Sequence, residues 1–206
     1  MRKKINRKTT PKVAGGKPLR KNNHEETPNY WNTIQDEVQI DSEKLGKGYK
    51  HFLKRRDLLK FIEIIPNWEV YSRGLDAIVL ESGKSGRDGV YYHSGVICIS
   101  AWPKEMDIEL NKRYFEDHKD LFKRLGIKYL EKDDFYFCEF TPDQIKAYQL
   151  LHILLHELGH HYDRMKTKTK HSTARGEKFA ENFAFENEER MWNKYEETFN
   201  IVFYKD

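Results

Sequence analysis

From Thr141 to Arg164 the chain reads "TPDQIKAYQLLHILLHELGHHYDR", a stretch that accommodates a helix and little else. Thr141 offers an N-cap hydroxyl, Pro142 suits the first helical position, and Gln144 completes a capping box. No further proline interrupts the run before the polar loop "KTKTKHSTARG", so the spacing predicts one long helix ending near Arg164. Gly159, inside that helix, costs about 1 kcal/mol relative to Ala, which implies that neighbouring backbone passes close to it.

The flanking segments predict a small sheet feeding this helix. From Ser42, Leu45, Tyr49, Phe52, Leu53, Leu59 and Ile62 fall at helical intervals, predicting a helix that ends at Pro66. "WEVYS", "LDAIVLES" and "VYYHSGVICISAWP" read as strands around the turn cluster "GKSGRDG". "KEMDIELNKRYFEDHKDLFKRLG" reads as a helix stopped by Gly126, "DFYFCEF" as a strand, and "GEKFAENFAFENEERMWNKYEET" as a final helix. The expectation is one α+β domain over residues 41–206 with a small mixed sheet, preceded by a leader over residues 1–40.

Charge is divided unevenly along the 206 residues. The first 23 residues hold nine Lys or Arg and no acid, leaving 28 basic against 33 acidic residues in the remainder. Such a leader reads as disordered, with weak contact to nucleic acid or an anionic surface as its available role. It lacks the apolar segment of a secretory signal. No apolar run approaches the ~20 residues of a membrane span. Two cysteines, Cys98 and Cys138, are too few for a disulfide framework and point to a reducing, cytoplasmic setting; Cys98 reads as a small core residue.

The chemistry concentrates in "HELGH". His156 and His160 lie one turn apart on one helix face, a spacing that presents two imidazoles to a zinc ion. Glu157 is offset around the helix, beside the metal's open position, where it can act as general base on a metal-activated water. A third ligand is needed, and the final helix offers Glu177 on the same side as Ala180, Phe183, Ala184 and Tyr195. Glu181, one turn on, is placed to accept the other ring N–H of His156 or His160. Glu181 is also the alternative third ligand, followed by Asp163. His152 shares the stripe one turn upstream and reads as a core or hydrogen-bonding histidine; His161 reads as a capping or surface residue.

"LLHELGHHYD" followed by "GEKFAENFA" resembles the gluzincin branch of the zincin metallopeptidases, and the second motif is similar to that of anthrax lethal factor. The matching positions are Glu177, Ala180, Glu181 and Phe183. The resemblance implies a zincin-like fold, a Zn2+ cofactor held by His156, His160 and Glu177, and hydrolysis of peptide or protein substrates with Glu157 as catalytic base. It also implies an edge strand that pairs with extended substrate, for which "GVICIS" and "VYYHS" are the candidates. Gluzincins carry a Tyr or His that stabilises the oxyanion; His171, Tyr162, His93 and Arg175 remain open for that role. The separation from His160 to Glu177 is short for the group and demands a compact connection. Two other readings compete: a non-catalytic module with a structural zinc, and a nucleic-acid-associated protein acting through its leader. Hydrolases that use a cysteine ligand are disfavoured, because neither cysteine lies in a matching motif.

Overall fold

The apolar runs "AIVLE" and "VICIS" form strands buried on both faces, β5 (Ala77–Glu81) and β7 (Val96–Ser100). The computed structural model describes residues 28–83, 86–167 and 175–203, together with two short antiparallel strands, β1 (Val13–Ala14) and β2 (Lys17–Pro18). The main sheet has four strands, with β3 (Gln39–Ser42) parallel to β5, β5 parallel to β7, and β6 (Gly89–Tyr92) antiparallel to β7 at the edge. Side chains alternate across it. Ile78, Leu80, Ile97 and Ile99 join the main core, whereas Ala77, Val79, Val96 and Cys98 pack beneath Tyr30. Continuous burial of this kind is what near-unbroken apolar strands require.

The expected leader is too long as drawn. Tyr30 is buried, its hydroxyl donates to Asp41 at 3.1 Å, and Gln35 N–H donates to the Asp76 carboxylate at 2.7 Å, so residues 28–40 belong to the body. The basic residues 1–12 and 19–27 lie outside the described residues.

Other expectations need correction. The helix drawn from Ser42 is confined to α1 (Arg55–Ile64), because Gly48 at φ +88° and the pairing of β4 (Tyr49–Lys50) with β8 (Trp102–Pro103) break the run. "WEVYS" forms a short helix, α2 (Trp68–Tyr71), after the left-handed Asn67. "DIELN" is strand β9 (Asp107–Asn111): its alternation of Met106, Ile108 and Leu110 with polar residues has period two. Asn111 then caps α3 (Lys112–Asp117), and α4 (Lys119–Leu125) stops at left-handed Gly126 as expected. Strands β10 (Lys128–Glu131) and β11 (Phe135–Glu139) complete an antiparallel three-stranded sheet with β9.

The Thr141 helix forms with its reciprocal cap: Gln144 N–H donates to Thr141 at 3.3 Å, and Thr141 N–H donates back to Gln144 at 2.7 Å. Gln144 also donates to the carbonyls of Leu125 and Gly126, fixing this end on α4. The helix runs as α5 (Pro142–Tyr148), a π-helical segment (Gln149–Leu154) and α6 (Leu155–Lys166). Helix α7 (Gly176–Phe199) packs along α6. The mixed α+β class is as expected. Among the described residues no helix is long and apolar enough to cross a membrane.

Candidate metal centre

Helices α6 and α7 meet at backbone contact, and that contact positions the site. A Cβ built on Gly159 would lie 2.9 Å from Ala180 Cα and 3.2 Å from Ala180 O, so only glycine permits this approach. His156 and His160, on either side of Gly159, converge with Glu177, which lies one turn before Ala180. His156 Nε2 lies 3.1 Å from His160 Nε2, and Glu177 Oε2 lies 3.2 Å from the first and 3.4 Å from the second.

These separations carry information. Ligands at 2.0–2.1 Å from a tetrahedral zinc stand about 3.3 Å apart. The three atoms already stand at those edges. They are also three lone-pair donors: His156 Nδ1–H donates to Glu181 Oε2 at 2.8 Å, which leaves its Nε2 bare. The donor set and spacing fit a zinc ion.

Glu177 differs from expectation in one respect. Its side chain is 82% exposed, not directed into a core. The apolar face of α7 meets α6 at Gly159 through Ala180 and Phe183, one to two turns after Glu177, which lines the cleft.

Glu157 is buried, and burial pushes its carboxyl up to about 7. Nearby His156 and the Tyr91 backbone N–H, which donates to it, act against that rise. Gly89 leaves the room: a Cβ there would meet Ile153 Cγ2 at 2.6 Å and Glu157 Oε1 at 3.1 Å. At His156 burial disfavours the imidazolium, but the Glu181 hydrogen bond and the Glu157 and Glu177 charges outweigh it and raise the pKa. At His160 burial prevails and lowers it.

No family model, curated protein or solved structure matches this chain.

The remaining candidates divide clearly. Asp163 is buried and bound to Arg175, whose Nε donates at 2.6 Å, so neither joins the ligand cluster. Arg175 also lies over the Phe179 ring at 3.5 Å. Tyr162 packs among Tyr71, Phe179 and Phe183. His93 lies beside Tyr91 at a ring separation of 5.9 Å and does not line the cleft. His171 lies outside the described residues. His161 is fully buried and bonded to Arg73 O at 3.1 Å, not a surface residue, and burial lowers its pKa to about 4.

A second cluster escaped the sequence. His118, at the junction of α3 and α4, brings Nε2 to 2.9 Å from His152 Nε2 and 2.6 Å from Glu181 Oε1. His118 sits 34 residues before His152, between two other helices, and no motif spacing links the two. A cleft of about 750 Å³ spans both clusters and reaches Gly89, Tyr114 and Phe185.

Proposed function

We propose that this chain is a zinc-dependent metallopeptidase of the gluzincin type. The observation that carries the reading is the triangle of His156 Nε2, His160 Nε2 and Glu177 Oε2, with sides of 3.1, 3.2 and 3.4 Å. Those three residues would hold the metal. When bound there, zinc would polarise a substrate carbonyl and acidify water.

Glu157 supplies the proton chemistry. With its pKa near 7, its carboxylate takes a proton from the attacking water and returns it to the leaving amine nitrogen. The site faces an open cleft, and Glu177 at its mouth is exposed, which favours a catalytic over a closed structural role.

Substrate alignment follows from the sheet. Strand β6, which contains "VYY", is the edge, whereas "VICIS" is enclosed between β5 and β6; among the described residues only the first of the two edge-strand candidates has an unpaired side. Its Gly89 and Tyr91 adjoin Glu157, so an extended peptide laid along β6 as an added strand passes the base.

Metal content and peptide cleavage test this together. Purified protein and Glu157→Gln should each hold about one zinc per chain, and His156→Ala none. Only the unmodified protein should cleave a peptide library. Equal zinc in all three, or equal cleavage by Glu157→Gln, overturns the reading.

A further inference from the structure

We infer that His118 is a positioning residue for the metal centre: its Nε2–H clamps the Glu181 carboxylate, which fixes His156 as the Nδ1–H tautomer with Nε2 free for the metal. The inference rests on the zinc reading above for its consequence, but its hydrogen-bond pattern stands on geometry alone.

The second cluster differs from the first in its distances. Co-ligands of one zinc stand about 3.3 Å apart, as the first cluster does. Here His118 Nε2 is 2.6 Å from Glu181 Oε1 and 2.9 Å from His152 Nε2, while His152 Nε2 and Glu181 Oε2 are 3.9 Å apart. A separation of 2.6 Å falls at the short limit of a charge-assisted N–H···O hydrogen bond, about 2.7–2.9 Å, and well inside the spacing of zinc co-ligands. The arrangement has His118 as its hub, not a vacant centre shared by three ligands.

Proton accounting gives the same answer. His118 Nδ1 is 2.7 Å from Tyr114 O, a carbonyl that only accepts, so Nδ1 carries a hydrogen. Its Nε2 faces the Glu181 carboxylate and His152 Nε2. Burial pushes the His152 pKa down to about 3, leaving that ring neutral and Nε2 able to accept. The contacts at His118 are met when Nε2 also carries a hydrogen, shared mainly with Glu181, while His152 Nδ1 stays buried with no hydrogen-bond partner among the described residues. Glu181 then accepts one N–H on each oxygen, His118 on Oε1 and His156 on Oε2.

Helix geometry holds the clamp. The chain breaks helical course at His118, between α3 and α4, and the ring stacks on Tyr114 at a centroid distance of 3.9 Å. Tyr114 is tied in turn to Tyr148 by their hydroxyls. A segment far from "HELGH" in sequence thereby sets the orientation of its first histidine.

The test compares the full chain with His118→Phe, which keeps the ring stack without the N–H, and His118→Gln, which restores an N–H donor. Zinc affinity is read by chelator competition, folding by thermal midpoint, and ring tautomers by histidine nitrogen NMR of protein stripped of metal. His118→Phe should weaken zinc about 10–100-fold, and His118→Gln should recover most of that loss. Adding Glu181→Gln to His118→Phe should cost little more, since the two act as one unit. NMR should find both His118 ring nitrogens protonated and His156 protonated on Nδ1, with that tautomer less populated in His118→Phe. Unchanged affinity, additive losses, a bare His118 Nε2, or a second zinc lost with His118→Phe would each overturn the inference. If the unmodified protein binds no zinc, the metallopeptidase reading fails, and the tautomers still decide the clamp.

Discussion

Gly159 and Ala180 bring α6 and α7 to backbone contact, with 2.9 Å between an added Cβ and Ala180 Cα. Alanine is the better helix former by about 1 kcal/mol, so propensity favours Gly159→Ala. The clash is with backbone and cannot be relieved by a rotamer, and overpacking of that kind costs about 1–3 kcal/mol. The thermal midpoint of Gly159→Ala should therefore fall. A midpoint equal to or above that of the unmodified protein would contradict the close approach.

Glu177 separates metal binding from stability. At 82% exposure it makes little packing contribution, so Glu177→Ala should change folding stability by no more than about 0.5 kcal/mol. Zinc affinity should fall roughly 100-fold or more, because a ligand is lost. Denaturant melts of zinc-stripped protein beside chelator competition distinguish this from a structural role.

Gly89 bears on the proposed base, Glu157, and not on the candidate metal ligands. Its substitution by Ala would press on Ile153 and on Glu157 Oε1. Zinc content should stay near one per chain, while kcat/KM for a cleaved peptide drops about 10–100-fold through displacement of the carboxyl. Parallel loss of zinc would show that β6 supports the ligands instead.

Glu188 gives a pH dependence removed from the ligands. Burial pushes its carboxyl up to about 8, with Arg124 acting against the shift. The folded chain therefore holds this proton more tightly than the unfolded chain does. Stability falls as pH rises from about 4.5 through about 8. Glu188→Gln removes the ionisation, so its thermal midpoint should exceed that of the unmodified protein at pH 9 and converge with it near pH 4.5. Parallel midpoint curves would contradict the assignment.

The sequence exposed those parts of the site whose members are close along the chain. His156, Glu157 and His160 follow from a single helical turn, and Glu177 with Glu181 from another. The Thr141 cap and the Gly126 stop are local signals and appear as expected. Longer-range features were hidden. Nothing near His118 announces that its ring faces Glu181, because the meeting depends on how α3 and α4 pack on the central helix. The sheet edge was equally unreadable: "VYYHS" and "GVICIS" have similar strand character, and only pairing order separates edge from centre. The helix expected from Ser42 does not form, because the turn at Gly46 and the left-handed Gly48 interrupt its apolar spacing.

The π-helical segment Gln149–Leu154 acts as a slack adjuster in the central helix. One end of that helix is tied to α4 through Gln144, the other to α7 through Gly159, and the wide turn absorbs the surplus length between two fixed anchors. Removing one residue there can be taken up by tightening to an α-helix, with both anchors kept. The same deletion between His156 and His160 in α6 has no such reserve and would swing one away from the other by about 100°. The tolerance of the chain to a change in length is thus concentrated in the turn just ahead of its candidate metal ligands.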